Sequence, residues 1–447
     1  MVLTKKRILV LGGGFAGVDC TRKLENYFES NSDIEITLVS DDNFLLFTPM
    51  LPQIVAGTVT PRHIVMPLRA LCKKARIYES VVRDIDPIQQ HVTLEGTPEK
   101  IGIRIHYDYL VIALGSKTNF FGLNNVERNS FTMKTLADAI SLRNRIIDML
   151  EQAENEKNSK IKERLLTFVI VGGGFAGVET AGEINDFLNE AISYYHNIKL
   201  VDVQVILVEA VGTILQGFNE SLSKYAHNKL EKNGIKILLQ HAVTSFDGKN
   251  VTIKKLPSTS SNVKHEVTID SHTLVWTAGV TPVEIIQNSA FKLKNGKIIV
   301  NEFLEIPNHP EIFAIGDCSQ FDREDVNKFP PTAQLAEAHA KLAAYNIKQS
   351  IESKEKKKFV YKWKGQSAII GKHYGIAESM GIKITGFWAW VLWRNYYLNK
   401  MPNIEKRIRV WLDWNIDLFS RVDISRYGFK RDTSKEYREL DEVDDVW

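Results

Sequence analysis

Two heptapeptides of identical sequence, GGGFAGV, occupy positions 12–18 and 172–178 of the 447-residue chain. Each places three glycines in the order G-x-G-x-x-G: Gly12, Gly14 and Gly17 in the first copy, Gly172, Gly174 and Gly177 in the second. That spacing suits a dinucleotide pyrophosphate. The first glycine permits a tight turn, the second lets the backbone approach the phosphates, and the third lets a helix pack close to a strand. Phe15 and Ala16 then open the first helix, whose free N–H groups carry roughly half a positive charge towards the phosphates. A single motif of this kind can arise from a purely structural strand-turn-helix, but two in matched context argue for two nucleotides.

The strands beyond the two turns end differently. The one after the second copy ends at Glu209, where a carboxylate can accept hydrogen bonds from both ribose hydroxyls of an adenosine and would repel a 2′-phosphate. NADH is therefore expected over NADPH. The strand after the first copy ends at Ser40, with Asp41 and Asp42 beyond, so either Ser40 or Asp41 could hold a ribose; the two aspartates could equally form a solvated turn.

These residues need strands and helices to hold them. Ile8–Val18 (ILVLGGGFAGV) and Val169–Val178 (VIVGGGFAGV) each read as a buried strand, a turn and a helix start. YLVIALGS (109–116) and LVWTAGV (274–280) read as return strands closing each unit, and their small residues Ala113, Gly115, Ala278 and Gly279 are further candidate contacts to the nucleotides. Positions 134–162 have helical composition ending in a charged stretch.

The totals bound the rest. With 44% hydrophobic and 25% charged residues, the chain has globular composition, and its length suits two or three domains. A net charge of +3 gives no electrostatic footprint for nucleic acid. Three scattered cysteines, Cys20, Cys72 and Cys318, show neither a disulfide framework nor a metal-ligand spacing, which fits a reducing compartment. No run of apolar residues is long enough to span a bilayer, and the strand beginning near Lys6 leaves no room for a signal peptide, so a cytoplasmic location is expected.

Further motifs complete a pattern: DNFLLFTPMLPQIVAGTV (42–59), VEA (208–210), IFAIGDC (312–318), PPTAQ (330–334) and the aromatic stretch around Trp390. With the glycine turns, these resemble the type II NADH dehydrogenases, single-chain NADH:quinone oxidoreductases of the two-dinucleotide-binding-domain flavoprotein superfamily. The resemblance implies an α/β fold with two Rossmann-like domains and a C-terminal membrane-associating segment. FAD would bind a discontinuous first domain (1–120 and 286–380), NADH an inserted second (121–285), and residues 381–447 would form the membrane-surface segment and an acidic tail. It further implies that Gly316 and Asp317 meet the ribityl chain and that Thr48 and Pro49 lie along the flavin. Lys372 would stand close to the flavin, where a cation favours the reduced ring; alternatively it is a surface lysine. Glu179, taken to sit on the first turn of the second helix, would have a raised pKa and pass protons to a reduced quinone, or simply favour the helix dipole. Gln334 would belong to the quinone site.

One departure from the resembled pattern is visible. The quinone-site sequence alanine-glutamine-x-alanine-x-glutamine-x-glycine holds up to Ala336, but Ala338 and Ala340 replace the second glutamine and the glycine. His339 either compensates for the lost glutamine or packs the helix.

GFWAWVLWRNYYL (386–398) and the stretch beyond it combine aromatic and basic residues, with Ile404, Ile408, Trp411 and Leu412 on one helical face. Such chemistry suits a membrane interface, a core or a dimer interface; the resemblance favours attachment to the cytoplasmic face of a membrane. The resemblance implies hydride transfer from NADH to FAD and two electrons to a membrane quinone, without proton pumping. Two other functions remain: a sulfide:quinone oxidoreductase, against which the scattered cysteines argue, and a non-catalytic flavoprotein whose nucleotides regulate a partner.

Overall fold

The structure, a computed structural model, describes residues 5–96, 102–256, 266–322 and 332–428. Pro330, Pro331 and the acidic tail lie outside the described residues.

The first unit runs from β1 (Lys6–Leu11) through the turn into α1 (Phe15–Tyr27) and β2 (Ile34–Ser40), then α2 (Leu51–Ala56), β3 (Arg76–Glu79) and β4 (Tyr109–Ile112). A long helix, α3 (Leu136–Asn155), leads to the second unit: β5 (Thr167–Val171), α4 (Phe175–Ala191), β6 (Gln204–Glu209), α5 (Glu220–Lys232), β7 (Ile235–Leu239) and β8 (Thr273–Trp276). The chain then returns. Strand β9 (His309–Ala314) lies parallel to β4, pairing Ile312 with Leu110.

Two parallel sheets result. The larger has the order Glu305–Ile306, β9, β4, β1, β2, β3, with only the first pairing antiparallel; the smaller has the order β7, β6, β5, β8. All five residues of β5 (TFVIV) and the last four of β1 (ILVL) are buried, as expected for strands covered on both faces. In each unit β1 or β5 sits between the strand that comes after its helix and the return strand, so its turn opens at the carboxyl edge of the sheet. That edge is where open α/β sheets take their ligands.

Helix α6 (Ala333–Ile351) packs on α1, and its buried stripe Ala336, Ala340, Ala343 and Ala344 lets the two backbones approach closely. A three-stranded antiparallel sheet comes next, β10 (Gln366–Gly371), β11 (Tyr374–Ser379) and β12 (Ile382–Gly386), then α7 (Phe387–Lys400) and α8 (Ile404–Asp417). Strand β10 and helix α7 close over α4. The final described stretch is strapped back by Arg143 of α3. This buried guanidinium donates to the carbonyls of Val55 and Asp423 and stacks on Phe187 and Tyr427, each 5.2 Å from the ring centroid. No helix among the described residues is long and apolar enough to cross a membrane.

Candidate functional site

The two turns are near copies in space. Gly12 has φ +111° and donates to the Val39 carbonyl at 2.7 Å; Gly172 has φ +105° and donates to Val208 at 2.8 Å. A side chain at Gly17 or Gly177 would stand 1.9 or 1.8 Å from the carbonyl oxygen of Gly12 or Gly172, so only hydrogen fits where helix crosses strand. At Gly14 and Gly174 the opposite holds: nothing lies within 4 Å of the missing side chain. Both are also the N-caps of their helices, and neither helix has a side-chain cap. Each turn is therefore an open cradle with unclaimed N–H groups, the shape and charge that a pyrophosphate requires. The residues present fit two dinucleotides.

At the second turn, one Glu209 oxygen accepts the Gly173 N–H and the other accepts the Val211 N–H at 2.9 Å. A carboxylate has about four acceptor sites, so the group is held in place with capacity left for ribose hydroxyls. Ser40 takes the equivalent place at the first turn. It is buried, its hydroxyl pressed against Gly13, whereas Asp41 is exposed and turns back to accept the Asp42 N–H at 3.1 Å.

Asp317 comes after β9 on a single helical turn entered through Gly316 at φ +72°. Its carboxylate accepts from the Ser116 hydroxyl at 2.8 Å, and the Lys134 ammonium donates to the same hydroxyl at 3.1 Å. Burial lowers the Lys134 pKa while the Asp317 charge raises it. Ala113 and Gly115 border this group in sequence, and Gly115 has φ +68° with open space beside it. Neither Ser116 nor Lys134 was a candidate from sequence; both lie far along the chain from Asp317, and the only available signal was the placement of Ser116 at the end of a return strand. Thr48 is exposed and Pro49 half-buried on a short turn before α2. Ala278 and Gly279 close β8, with Gly279 at φ +78° against the ring of Phe121.

Glu179 belongs to the second turn of its helix rather than the first, because α4 begins at Phe175. Its carboxylate is buried and accepts from the Ile369 N–H at 3.1 Å and the Trp393 indole at 3.2 Å, so it points at β10 and α7 and does not cap the helix. Burial pushes its pKa up to about 8, with the two hydrogen bonds opposing that rise.

Lys372 is not brought beside Glu179. Strand β10 runs along α4, so by the end of the strand the chain has moved about two helical turns down the helix. There the Lys372 N–H meets Asp186, and its ammonium lies 2.8 Å from Glu190 and 3.6 Å from Asp417.

Gln334 donates to the Gly365 carbonyl at 3.3 Å, and its buried side-chain oxygen has no partner among the described residues. His339 is a packing residue. It accepts the Gly316 N–H, packs edge-on against the stacked rings of Phe321 and Phe359 at 5.5 and 4.8 Å, and is held neutral by burial, which lowers its pKa to about 3. It thus supports the Asp317 turn. Ala340 is fully buried and Ala338 partly so.

The C-terminal aromatics divide. Trp390, Trp393 and Trp414 are buried, the last donating to Gln53 at 3.0 Å. Trp388 on α7 and Ile404, Ile408 and Trp411 along one side of α8 are at least half exposed (69, 72, 56 and 52%), with no covering element among the described residues. All three cysteines are free and buried, and burial raises each thiol pKa, which leaves no exposed thiolate to carry sulfur.

Two units with open pyrophosphate cradles on one chain define an oxidoreductase of the two-nucleotide class. Comparison with known proteins specifies it. The family model for pyridine nucleotide-disulphide oxidoreductases matches residues 6–340, and that for the NDH2 C-terminal domain matches residues 363–422. A probable NADH dehydrogenase of Dictyostelium discoideum is 30% identical over 95% of this chain and 92% of its own length. A type II NADH:quinone oxidoreductase of Mycobacterium tuberculosis is 28% identical, over 93% and 89%. The solved structure of NDH2 from Plasmodium falciparum in complex with NADH superposes with a TM-score of 0.85, at 21% identity, covering 94% of this chain and 100% of that one. The chain belongs to the pyridine nucleotide-disulphide oxidoreductase family, in its type II NADH:quinone oxidoreductase branch, with FAD and NADH as cofactors.

Proposed function

We propose that this protein oxidises NADH and delivers the two electrons to a membrane quinone, without pumping protons. The observation that carries the reading is the pair of open glycine cradles at the carboxyl edges of two sheets, with the buried carboxyl of Glu179 on the helix that leaves the second. Residues 1–120 and 286–380 would hold FAD and residues 121–285 NADH; the pairing of β9 with β4 supports the split. Bound FAD supplies the redox chemistry, accepting hydride and handing electrons on.

The chain's own residues do the rest. Gly12, Gly14, Phe15, Ala16 and Gly17 would cradle the FAD pyrophosphate, with Ser40 or Asp41 at its ribose; Asp317, steadied by Ser116 and Lys134, would hold the ribityl hydroxyls. Gly172, Gly174, Gly177 and Glu209 would seat NADH and orient its nicotinamide. Glu179 would give a proton to the quinone; its burial behind Trp393, which raises its affinity for the proton, supports this role. With Ala338 and Ala340 in place of the family glutamine and glycine, Gln334 and its side-chain oxygen are left to contact the quinone head.

The exposed side chains of Trp388, Ile404, Ile408 and Trp411 would rest on the cytoplasmic membrane surface or pair with a second copy. Replacing all four with serine leaves the buried tryptophans untouched. The variant is expected to keep its flavin and its reduction of a water-soluble quinone, but to float no longer with anionic vesicles. Continued flotation would refute the membrane reading, and a monomer appearing in its place would favour the dimer.

The reading as a whole is tested by mixing the flavin-loaded protein anaerobically with NADH. Rapid bleaching of the flavin absorbance and its return on adding a quinone is the expected result. Bleaching by sulfide instead of NADH, or no bleaching at all, would overturn it.

A further inference from the structure

Helix α4 carries more carboxyl groups than nucleotide binding uses. Glu179, Glu183, Asp186 and Glu190 succeed one another at helical spacing and so form a column along one face. The inner end is buried, while the side chain of Glu190 at the outer end is 39% exposed.

Glu183 is the unexplained member. It is buried and makes no hydrogen bond among the described residues, yet it lines a small cavity of about 30 Å³. Asp186, Glu190, Lys372, Arg394 and Asp417 line the same cavity. A polar space of that size accommodates a water molecule or two. The Arg394 guanidinium is clamped 3.7 Å from the Trp390 ring centroid and 4.8 Å from that of Trp414, and its Nε is buried without a partner among the described residues. A buried carboxyl with no hydrogen bond among the described residues, beside a polar cavity also lined by the part-exposed Glu190 and Lys372, is costly unless it serves a purpose.

We propose that Glu183 and Asp186, bridged by water in this cavity, form a proton path from the surface at Glu190 and Asp417 to Glu179. The proposal rests on the reading of Glu179 as proton donor to the quinone. The overall reaction, NADH + quinone + H⁺ → NAD⁺ + quinol, breaks the nicotinamide C–H bond and forms two O–H bonds. One proton per turnover must therefore come from water, and Glu179 is sealed from water by Trp393 and β10.

The surrounding charges suit the task. Asp186 and Asp417 raise the proton affinity of Glu183 beyond what burial alone does, while Arg394 restrains it. Lys372 and Lys229 lower that of Asp186, and His373 stands with Lys372 at the outer end; Tyr397 faces Glu179 at the inner end. Burial lifts Asp186 to about 6 and both glutamates to about 8, so affinity for the proton rises inward.

Glu183→Gln keeps the volume and removes the proton carrier. Its quinone reduction is expected to fall about tenfold above roughly pH 8, with a larger solvent deuterium isotope effect on kcat and an unchanged KM for NADH. A small permeant acid such as formate should restore the rate. Independently of turnover, the oxidised protein should lose one carboxylic-acid C=O band from its infrared spectrum at neutral pH. Asp417→Asn, at the outer end, is expected to show a weaker form of the same pH-dependent loss, and it carries the test if Glu183→Gln does not fold. Wild-type turnover and isotope effect in these variants would overturn the path. Glu179→Gln separates the two ideas: normal quinone reduction there defeats the proton-donor reading itself, whereas a slow Glu179→Gln beside a normal Glu183→Gln defeats only the path.

Discussion

The two glycine turns have one sequence and one geometry, yet the helices they launch diverge at once. After the first turn, α1 continues with Asp19 and Lys23; after the second, α4 places Glu179 and Glu183 at the same positions. Asp19 is partly exposed, and Lys23 is the foremost charge lowering its pKa against burial. Glu179 and Glu183 have no such neighbour on their own helix and are sealed by β10 and α7. The strand ends diverge too, Ser40 against Glu209. The repeat thus has the shape of a phosphate cradle, and the residues shortly beyond its third glycine decide whether the helix also carries buried carboxyl groups.

The sharpest way to break this comparison is to spoil each cradle separately. Gly17→Ala and Gly177→Ala both force a methyl group into a backbone carbonyl. The first is expected to yield protein without flavin, the second a yellow protein that NADH no longer bleaches; the same loss in both would mean that the turns do not serve different nucleotides. A smaller effect is expected one step away. Glu209→Ala should raise the KM for NADH about 10- to 100-fold, roughly 1.4–2.8 kcal/mol, while Ser40→Ala leaves flavin content nearly unchanged. A kinetic profile in which Glu209→Ala binds NADH normally would remove the carboxylate from the ribose.

A separate difference lies in stability. Glu179 and Glu183 have folded-state pKa values raised from 4.5 to about 8, so the folded protein binds more protons than the unfolded chain between those limits. Stability must then fall as pH rises from about 4.5 to about 8 and level off above. The double variant Glu179→Gln, Glu183→Gln should lose this slope in thermal melts, whereas Asp19→Asn should alter it little. Parallel melting curves for wild type and the double variant would contradict the burial of charge on α4.

Much of the fold is legible in the sequence because parallel strands buried on both faces are written as short apolar runs, and because the turns leave glycine at positions where a side chain would collide with backbone. The carboxylate at Glu209 is legible for the same reason, as it ends a strand whose register the turn defines. Long-range associations are not. Ser116 and Lys134 meet Asp317 only after β9 has returned to the first sheet, and no local pattern announces that. The ion pairs of Lys372 with Glu190 and Asp417 are equally silent in its motif, because they depend on the direction in which β10 runs along α4. The aromatic run at 386–398 is also ambiguous in sequence, since nearly every position is apolar and its period cannot separate the buried Trp390 and Trp393 from the exposed Trp388.

Arg143 has a consequence for how this chain can change over generations. Its guanidinium is fully buried among Val55 of the first unit, Phe187 of the second and the backbone near Tyr427. Deleting the last strap would take the Asp423 carbonyl and the Tyr427 ring from that charge, leaving it only the Val55 carbonyl and the Phe187 ring. The C-terminal segment is therefore entrenched: the arginine would have to be replaced before the segment could be shed, and replacing the arginine first would loosen the segment. The arrangement is a ratchet, in which each half makes the other hard to lose.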